Sequence, residues 1–243
     1  MTVDPGSGLE SICKVFVSGN EKYSVVLGVT DLNTNRNAFY KIQLLVSEDE
    51  RRFWIYRAWG RTGTSIGGDK TEGFANLERA QANFKATYFE KTGNEWENRH
   101  DFVKKPGLFY PIDISYAGDA KVDWESSKAT SNLPKATQEL IKLIFDIDSM
   151  KKTMLEFDLD MEKMPLGKLS KDQINKAFDV LNEISHYIKY GATEMDFIDA
   201  SNRFYTLIPH NFGMRSPPIL NELYQLNDLN SMLNTLLQIE CAY

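Results

Sequence analysis

The sequence predicts an α+β domain followed by an all-α domain, namely a small antiparallel sheet with a packed helix and then a helical bundle. Three runs in the first quarter of the chain are rich in β-branched and aromatic residues, as strands are. The second half shows helical spacing throughout. Residues 115–133 between these parts are poor in large apolar side chains. We therefore expect a first domain over 1–114, a linker over 115–133 and a helical domain over 134–243.

The three strand-like runs are SVVLGVTDL, AFYKIQLLV and RRFWIYRAWG, which polar turns separate. In the third run Phe53 and Ile55 fall on one face, whereas Trp54 and Tyr56 fall on the other. This alternation suits an antiparallel sheet that is covered on at least one side. The segment GRTGTSIGGDK follows with four glycines, and we predict a tight loop there.

Helical periodicity begins after the strands. Apolar residues recur every three or four positions over 76–92, which predicts a helix that packs on the sheet and ends at Gly93. About five helices are predicted after the linker, and the first opens on Pro134. The third is predicted to run from a Ser170 cap to Gly191. Its expected buried stripe comprises Ile174, Phe178, Leu181, Ile184, Ser185 and Ile188.

Charge is distributed unevenly along the chain. The net charge of −6 argues against a protein that binds nucleic acid over its whole surface. Residues 51–105, however, carry eleven basic and seven acidic side chains, whereas residues 126–243 carry twelve basic and sixteen acidic ones. Contacts with phosphate should therefore come from the first half.

Composition and spacing exclude several kinds of protein and site. Cys13 and Cys241 lie near opposite ends of the chain, which fits a reducing, intracellular compartment without a disulfide framework. No apolar run approaches the roughly 20 residues that cross a bilayer, and the first residues form no leader, so we expect a soluble chain. His100, His186 and His210 lack ligand spacing, and neither a nucleophile elbow nor a phosphate loop is present. We therefore predict no metal site and no catalytic residue.

A family resemblance centres on the string AWGRTGTSIGG, which contains Trp59, Gly60 and Arg61. It resembles the motif for which the WGR domain is named. Further family-like stretches occur in the family's order, one before this string and the others after it. They are NAFYKIQLL, EKTGNEW, KKPGLFYPI, MPLGKLSKDQI, SNRFYTLIPHNFGM and IECAY. Together these resemble the WGR and helical regulatory domains of the nuclear, DNA-dependent poly(ADP-ribose) polymerases over nearly the whole chain.

The resemblance implies a regulatory chain rather than a catalytic one. In the family the ADP-ribosyltransferase domain comes next, and this sequence stops at Tyr243, where that domain would begin. We therefore expect no enzyme activity, no cofactor and no small-molecule substrate in this chain, with NAD used only by the full-length enzyme. The expected partners are DNA ends or nicks and the transferase domain of the same parent chain. We expect a nuclear location and no membrane partner.

The resemblance also implies roles for particular residues, and most have a plainer alternative. Trp59 would present its indole to a terminal nucleotide, although spacing alone favours a core tryptophan. Arg61 would contact DNA and connect it to the neighbouring domains, whereas the alternative is a solvated arginine. Asn37 matches a DNA-contacting asparagine of the family but is otherwise an ordinary turn residue. Lys70 and Arg36 are further candidates for phosphate contact.

Leu166, Leu169 and Leu181 form the candidate regulatory core. Their plain role is to pack the helical bundle. The resemblance implies that this packing is also a switch, because the folded bundle blocks NAD access to the transferase and DNA-induced loosening removes the block. The last helix has Asn234 and Gln238 where vertebrate relatives carry acidic residues that face the active site, which does not favour a purely electrostatic exclusion of NAD.

Two other functions stay open. One is a free-standing DNA-binding module, which would differ from a regulator because its residues 134–243 would not inhibit a transferase domain added in trans. The other is a protein-interaction scaffold in which Trp59 is a protein hot spot. A scaffold would not bind a blunt or nicked duplex with the steep salt dependence that phosphate contacts produce.

Overall fold

The computed structural model describes residues 2–115, 134 and 168–242. The strands are Cys13–Val15 (β1), Val17–Ser18 (β2), Glu21–Lys22 (β3), Ser24–Asp31 (β4), Arg36–Ser47 (β5), Phe53–Arg61 (β6), Gly67–Phe74 (β7), Tyr110–Ile112 (β8), Ile114–Ser115 (β9) and Lys168–Leu169 (β10). The helices are Leu77–Thr92 (α1), Lys171–Tyr190 (α2), Glu194–Leu207 (α3) and Leu223–Ala242 (α4). Short 3₁₀ turns occupy Pro5–Ser7 and Trp96–Asp101. None of these helices has the length and apolar character that crossing a membrane requires.

Antiparallel strands form the central sheet in the order β7-β6-β5-β4-β8, and β1 pairs with the last residues of β5. The ladder between β5 and β6 runs from Ala38 opposite Arg61 to Val46 opposite Phe53. A separate ladder of β9 and β10 joins the residues just after the sheet to those just before α2. This arrangement confirms the predicted fold class, a small antiparallel sheet with a helix followed by a helical part.

The glycine-rich segment after Trp59 forms a β-hairpin, so the prediction of a loop there is wrong in part. β6 extends to Arg61, residues 62–66 turn the chain, and β7 begins at Gly67. Gly60 pairs with Gly67, and a Cβ on either would collide with backbone across the hairpin. These glycines therefore allow close pairing of two strands, which composition alone does not distinguish from a tight loop.

Helix α1 covers one face of the sheet, as its spacing predicts. Asn76 caps its first turn by accepting a hydrogen bond from the N–H of Arg79, and Gly93 follows its last turn with φ of 67°. The core on this face consists of Tyr23, Leu27, Val29, Ile42, Leu44, Ile55, Ala80, Phe84, Tyr88, Trp96 and Phe109. It includes side chains of both β5 and β6, the two strands that carry most of the candidate site residues.

The opposite face of the sheet has two covers. The N-terminal segment lies over one part, where the core consists of Val3, Cys13, Val15, Leu45 and Tyr56. Asp4 of that segment forms a largely buried ion pair with Lys41 of β5. The other part of the face, around Val26 and Ile112, packs against the helices. The sheet is therefore buried on both faces, and the helices supply part of the burial.

Helices α2, α3 and α4 share one apolar core with the sheet. Ser170 caps α2 and Gly191 follows its last turn, as predicted, while Thr193 and Asp196 form a capping box at the start of α3. Ser185 is exposed, which corrects the predicted stripe, because at about 100° per residue it points away from the centre of the buried face. That face consists of Gln173, Ile174, Ala177, Val180, Leu181 and Ile184.

Part of the predicted helical domain lies outside the described residues. The two helices expected between Pro134 and β10 fall on residues of which only Pro134 and those of β10 itself are described. The same holds for the predicted linker, apart from Ser115, which belongs to β9. The proposed domain bounds therefore stay predictions.

The ion pair between α2 and α3 predicts a pH dependence of stability. Arg203 donates two hydrogen bonds of 2.7 Å to the carboxylate of Glu183 and lowers the pKa of that carboxyl. A pKa that is lower in the folded state means that the pair stabilises the fold above the pKa of about 4.3 of an unfolded glutamate. This contribution is lost as the pH falls through the folded-state pKa.

Glu183→Gln should lower the free energy of unfolding at neutral pH by only about 0.5 kcal/mol, because solvent screens a pair whose side chains are 29% and 35% exposed. The difference from the wild type should shrink as the solution is acidified. Urea denaturation at neutral and acid pH measures both quantities, with Glu222→Gln, an exposed position, as the control. A difference that does not change with pH would contradict the assigned pair.

Candidate nucleic-acid interface

Trp59 lies near the end of β6, and 38% of its surface is exposed. Its indole stacks on Tyr40, which is directly opposite on β5, with ring centroids 6.0 Å apart and planes 16° from parallel. Tyr40 packs against the core under α1, which places the indole on that side of the sheet. Trp54 of the same strand instead packs against the core of the N-terminal segment. Of the two tryptophans in β6, Trp59 is therefore the more accessible to a partner.

Arg61 connects the sheet to the segment between α3 and α4. Its guanidinium donates hydrogen bonds to the backbone oxygen and to the Oδ1 of Asn35, at 2.6 and 2.8 Å. It also donates to the carbonyl oxygens of Gly213, at 2.5 Å, and of Arg215, at 3.0 Å. A planar fork of N–H groups can satisfy acceptors on two sides at once, which a lysine ammonium cannot do with the same geometry. Arg61 is thus held by both parts of the molecule.

Asn37 is buried at the contact between sheet and helices, with 2% of its surface exposed. Its amide donates to the carbonyl oxygen of His210 at 2.8 Å, and the hydroxyl of Thr30 donates to its Oδ1 at 3.3 Å. The side chain is therefore not accessible to DNA in this conformation. The predicted contact of Asn37 with DNA would require this interface to open.

Lys70 and Arg36 differ in how firmly they are held. Lys70 is exposed on β7 and pairs with Glu72 at 3.3 Å, and this hydrogen bond is the main cause that lowers the pKa of Glu72. Arg36 donates to the carbonyl oxygen of Gly107 at 2.7 Å, and its guanidinium carbon lies 4.9 Å from the ring centroid of Phe109. An exposed ion pair is weak and screened by salt, so Lys70 can exchange its partner for a phosphate more readily than Arg36 can.

The contact between sheet and helices includes residues that the sequence analysis missed. The side chains of Asn202 and Thr206 on α3 accept hydrogen bonds from the backbone N–H groups of Leu32 and Thr30, at 2.8 and 3.0 Å. The two side chains are four positions apart and hence lie on one face of α3. The sequence indicates these contacts only indirectly, because both residues are polar although helical spacing places them on the packed face of α3.

The residues of the candidate regulatory core lie as follows. Leu169 and Leu181 are 6% and 2% exposed and belong to the core shared by the helices and the sheet. Leu166 lies outside the described residues. Asn234 and Gln238 are exposed on α4, and their spacing of four positions puts them on one face. That face of α4 is polar rather than acidic at the two positions.

Replacing Asn37 with alanine should destabilise the chain by about 1–3 kcal/mol, because the carbonyl oxygen of His210 would lose a buried hydrogen bond. Urea denaturation of the whole chain measures this change. Asn33→Ala is the matched control, since Asn33 is exposed in the turn after β4, and it should change the free energy of unfolding by less than about 0.5 kcal/mol. Equal stabilities of the two variants would contradict the buried position of Asn37.

Comparisons with known proteins agree with the two-part architecture. Residues 23–103 match the family described as WGR domain, and residues 131–243 match the family described as Poly(ADP-ribose) polymerase, regulatory domain. The Poly [ADP-ribose] polymerase of Sarcophaga peregrina is 57% identical over 100% of this chain and 25% of its own length. That of Drosophila melanogaster is 53% identical over 100% of this chain and 24% of its own length.

A vertebrate relative shows the same coverage. The Poly [ADP-ribose] polymerase 1 of Gallus gallus is 47% identical over 99% of this chain and 24% of its own length. The chain thus spans about a quarter of the length of these curated relatives. It carries the WGR domain and the regulatory domain of the poly(ADP-ribose) polymerase family.

Proposed function

We propose that this chain is the regulatory part of a nuclear poly(ADP-ribose) polymerase that responds to DNA breaks. The WGR domain contacts a DNA end or nick, and the helical domain limits the access of NAD to the transferase domain of the parent protein. Arg61 couples the two events. The observation that carries the proposal is that Arg61 of β6 donates hydrogen bonds to Asn35, in the turn between β4 and β5, and to the segment between α3 and α4.

The chemistry of Trp59 suits a nucleotide at a strand end. Bases inside a duplex are covered on both faces, whereas a terminal base has one free face. Stacking on an exposed aromatic side chain contributes roughly 1–3 kcal/mol per base, and Trp59 is 38% exposed. Residues 51–105, with eleven basic and seven acidic side chains, attract the phosphates of the same strand. The indole would then provide preference for ends, and the charges would provide affinity.

The position of Arg61 suits a relay from the DNA to the helices. Arg61 follows Trp59 by two residues on β6, a strand paired on both sides. The turn after it also touches the helical part, because Gly63, with φ of 75°, lies so near Asn211 that any Cβ would collide. A shift of this hairpin on DNA binding would therefore strain the hydrogen bonds of Arg61 to the segment between α3 and α4.

The helical domain would restrain the transferase through its folded state. Leu181 lies in the middle of α2 and is 2% exposed. Truncating one core leucine typically costs 2–5 kcal/mol, while small domains are stable by roughly 5–15 kcal/mol. Strain of a few kcal/mol is therefore enough to change how often the bundle loosens and lets NAD reach the transferase.

Arg61→Ala should separate DNA binding from its effect on the helices. In the polymerase that contains this chain, a saturating blunt or nicked duplex should raise amide hydrogen exchange within residues 168–242, because loosening exposes backbone N–H groups. The variant should still bind the duplex through Trp59 but should show no such rise. Hydrogen exchange followed by mass spectrometry measures the difference.

The matched control is Arg51→Ala, which removes the same charge from the exposed turn after β5 and should leave the rise in exchange intact. Exchange that stays unchanged in the wild-type polymerase at saturating duplex would refute the relay. A rise that persists in Arg61→Ala would assign the coupling to other contacts between the sheet and the helices.

Leu181→Ala should raise the DNA-independent activity of the parent polymerase, because a cavity in the apolar core around α2 favours the loosened bundle. Synthesis of poly(ADP-ribose) without added DNA measures this activity. Leu223→Ala is the control, since Leu223 is 58% exposed and its removal leaves no cavity. A soluble Leu181→Ala enzyme with the basal activity of the wild type would rule out this form of restraint.

A further inference from the structure

The indole of Trp59 is flanked on both sides by residues of neighbouring strands. Tyr40 of β5 and Gly68 of β7 are its direct partners in the two ladders. The ring of Tyr40 stacks on the indole at 6.0 Å between centroids. On the other side, a Cβ built on Gly68 would lie 3.4 Å from the indole carbon Cζ2. One neighbour of the indole is therefore an aromatic ring, and the other has no side chain.

The ring of Tyr40 is itself held by two further elements. The Nζ of Lys91, in the last turn of α1, lies 4.9 Å from its centroid. Phe109 meets it with centroids 6.1 Å apart and planes at 63°, and the guanidinium of Arg36 lies over Phe109. Burial raises the pKa of the Tyr40 hydroxyl, so the ring is neutral at physiological pH. The ring is thus fixed in place before any ligand arrives.

We propose that Tyr40 and Gly68 are positioning residues for Trp59, with Tyr40 backing the indole on one side and Gly68 keeping the other side open. The inference rests on the proposed contact of Trp59 with DNA. An indole that is already oriented loses less conformational freedom on stacking than a free one does. The site then accepts the one exposed face of a terminal nucleotide.

This geometry also predicts that intact duplex is a poor ligand for the site. A side chain that inserts between two stacked base pairs must offer both of its faces. The indole of Trp59 offers only one free face, because Tyr40 covers the other. Strand ends, which expose one face of a terminal nucleotide, match a platform of this kind, so the pair of positioning residues sets the preference for ends over continuous duplex.

The test compares the affinities of the whole chain for a blunt-ended duplex and for a covalently closed circular duplex. The ratio of the two affinities is the end preference. Tyr40→Leu should reduce the end preference about 2- to 10-fold, the range expected for one aromatic pair. Tyr40→Phe keeps the ring and should keep the preference. Gly68→Val puts a branched side chain against the indole and should reduce the preference at least as much as Tyr40→Leu.

The salt dependence of binding and a control variant distinguish a positioning role of Tyr40 from a merely structural one. None of these variants removes a phosphate contact, so the slope of log affinity against log salt should stay that of the wild type. Tyr190→Leu, at an exposed tyrosine at the end of α2, is the matched control and should behave as the wild type. Loss of affinity for both duplexes alike, or an equal loss in Tyr40→Phe and Tyr40→Leu, would overturn the positioning role.

Trp59→Ala tests the underlying DNA contact separately. If this variant keeps the end preference of the wild type, the proposed contact of Trp59 is wrong whatever Tyr40 does. If Trp59→Ala loses the preference while Tyr40→Leu keeps it, only the positioning role is wrong. Should Tyr40→Leu fail to fold, as a melting curve would reveal, Gly68→Val decides, and an unchanged end preference in that variant overturns the inference.

Discussion

Burial of the face of the sheet opposite α1 is the constraint on which the rest of the structure depends. Around Val26 and Ile112 this face is apolar, and among the described residues its cover is the core of α2, α3 and α4. Gly28 of β4 lies on this face near Thr206 of α3, and a Cβ at its position would collide with the side chain of Ile112. Exposing such a surface to water costs roughly 25 cal/mol per Å². The sheet and the helices therefore stabilise each other, and a change in one part alters the stability of the other.

The hydrogen bonds around this apolar centre run largely to backbone groups. Asn37 donates to a carbonyl oxygen of the segment after α3, Arg61 donates to two more, and Thr206 accepts from a backbone N–H of β4. A hydrogen bond to a backbone group constrains the path of the partner segment more than it constrains which side chains that segment carries. Such bonds can lengthen or exchange partners while the apolar centre stays buried, so the proposed relay does not require the two parts to separate.

The sequence predicted the elements whose periodicity and end signals agree, and it missed those that depend on distant partners. Gly93 and Ser170 mark the ends of helices because their conformational preferences act locally. The strand Gly67–Phe74 carries no apolar alternation, since it is an exposed edge, and so it looked like a loop. The burial of Asn37 depends on a residue 173 positions away. For Arg61 the local pattern offered only a surface arginine, and the family resemblance was needed to single it out.

A strand carries both Trp59 and Arg61, and this matters for the proposed relay. Residues two positions apart on a strand, as these are, lie roughly 7 Å from each other. β6 is hydrogen-bonded to β5 on one edge and to β7 on the other, and Ile55 anchors it in the core under α1. A displacement imposed on the indole would therefore move the hairpin with its neighbours instead of being absorbed by local bending, as it would be in a loop. The proposed relay therefore requires no rearrangement within the sheet, because the contacts that would break are the hydrogen bonds that run from the sheet to the helices.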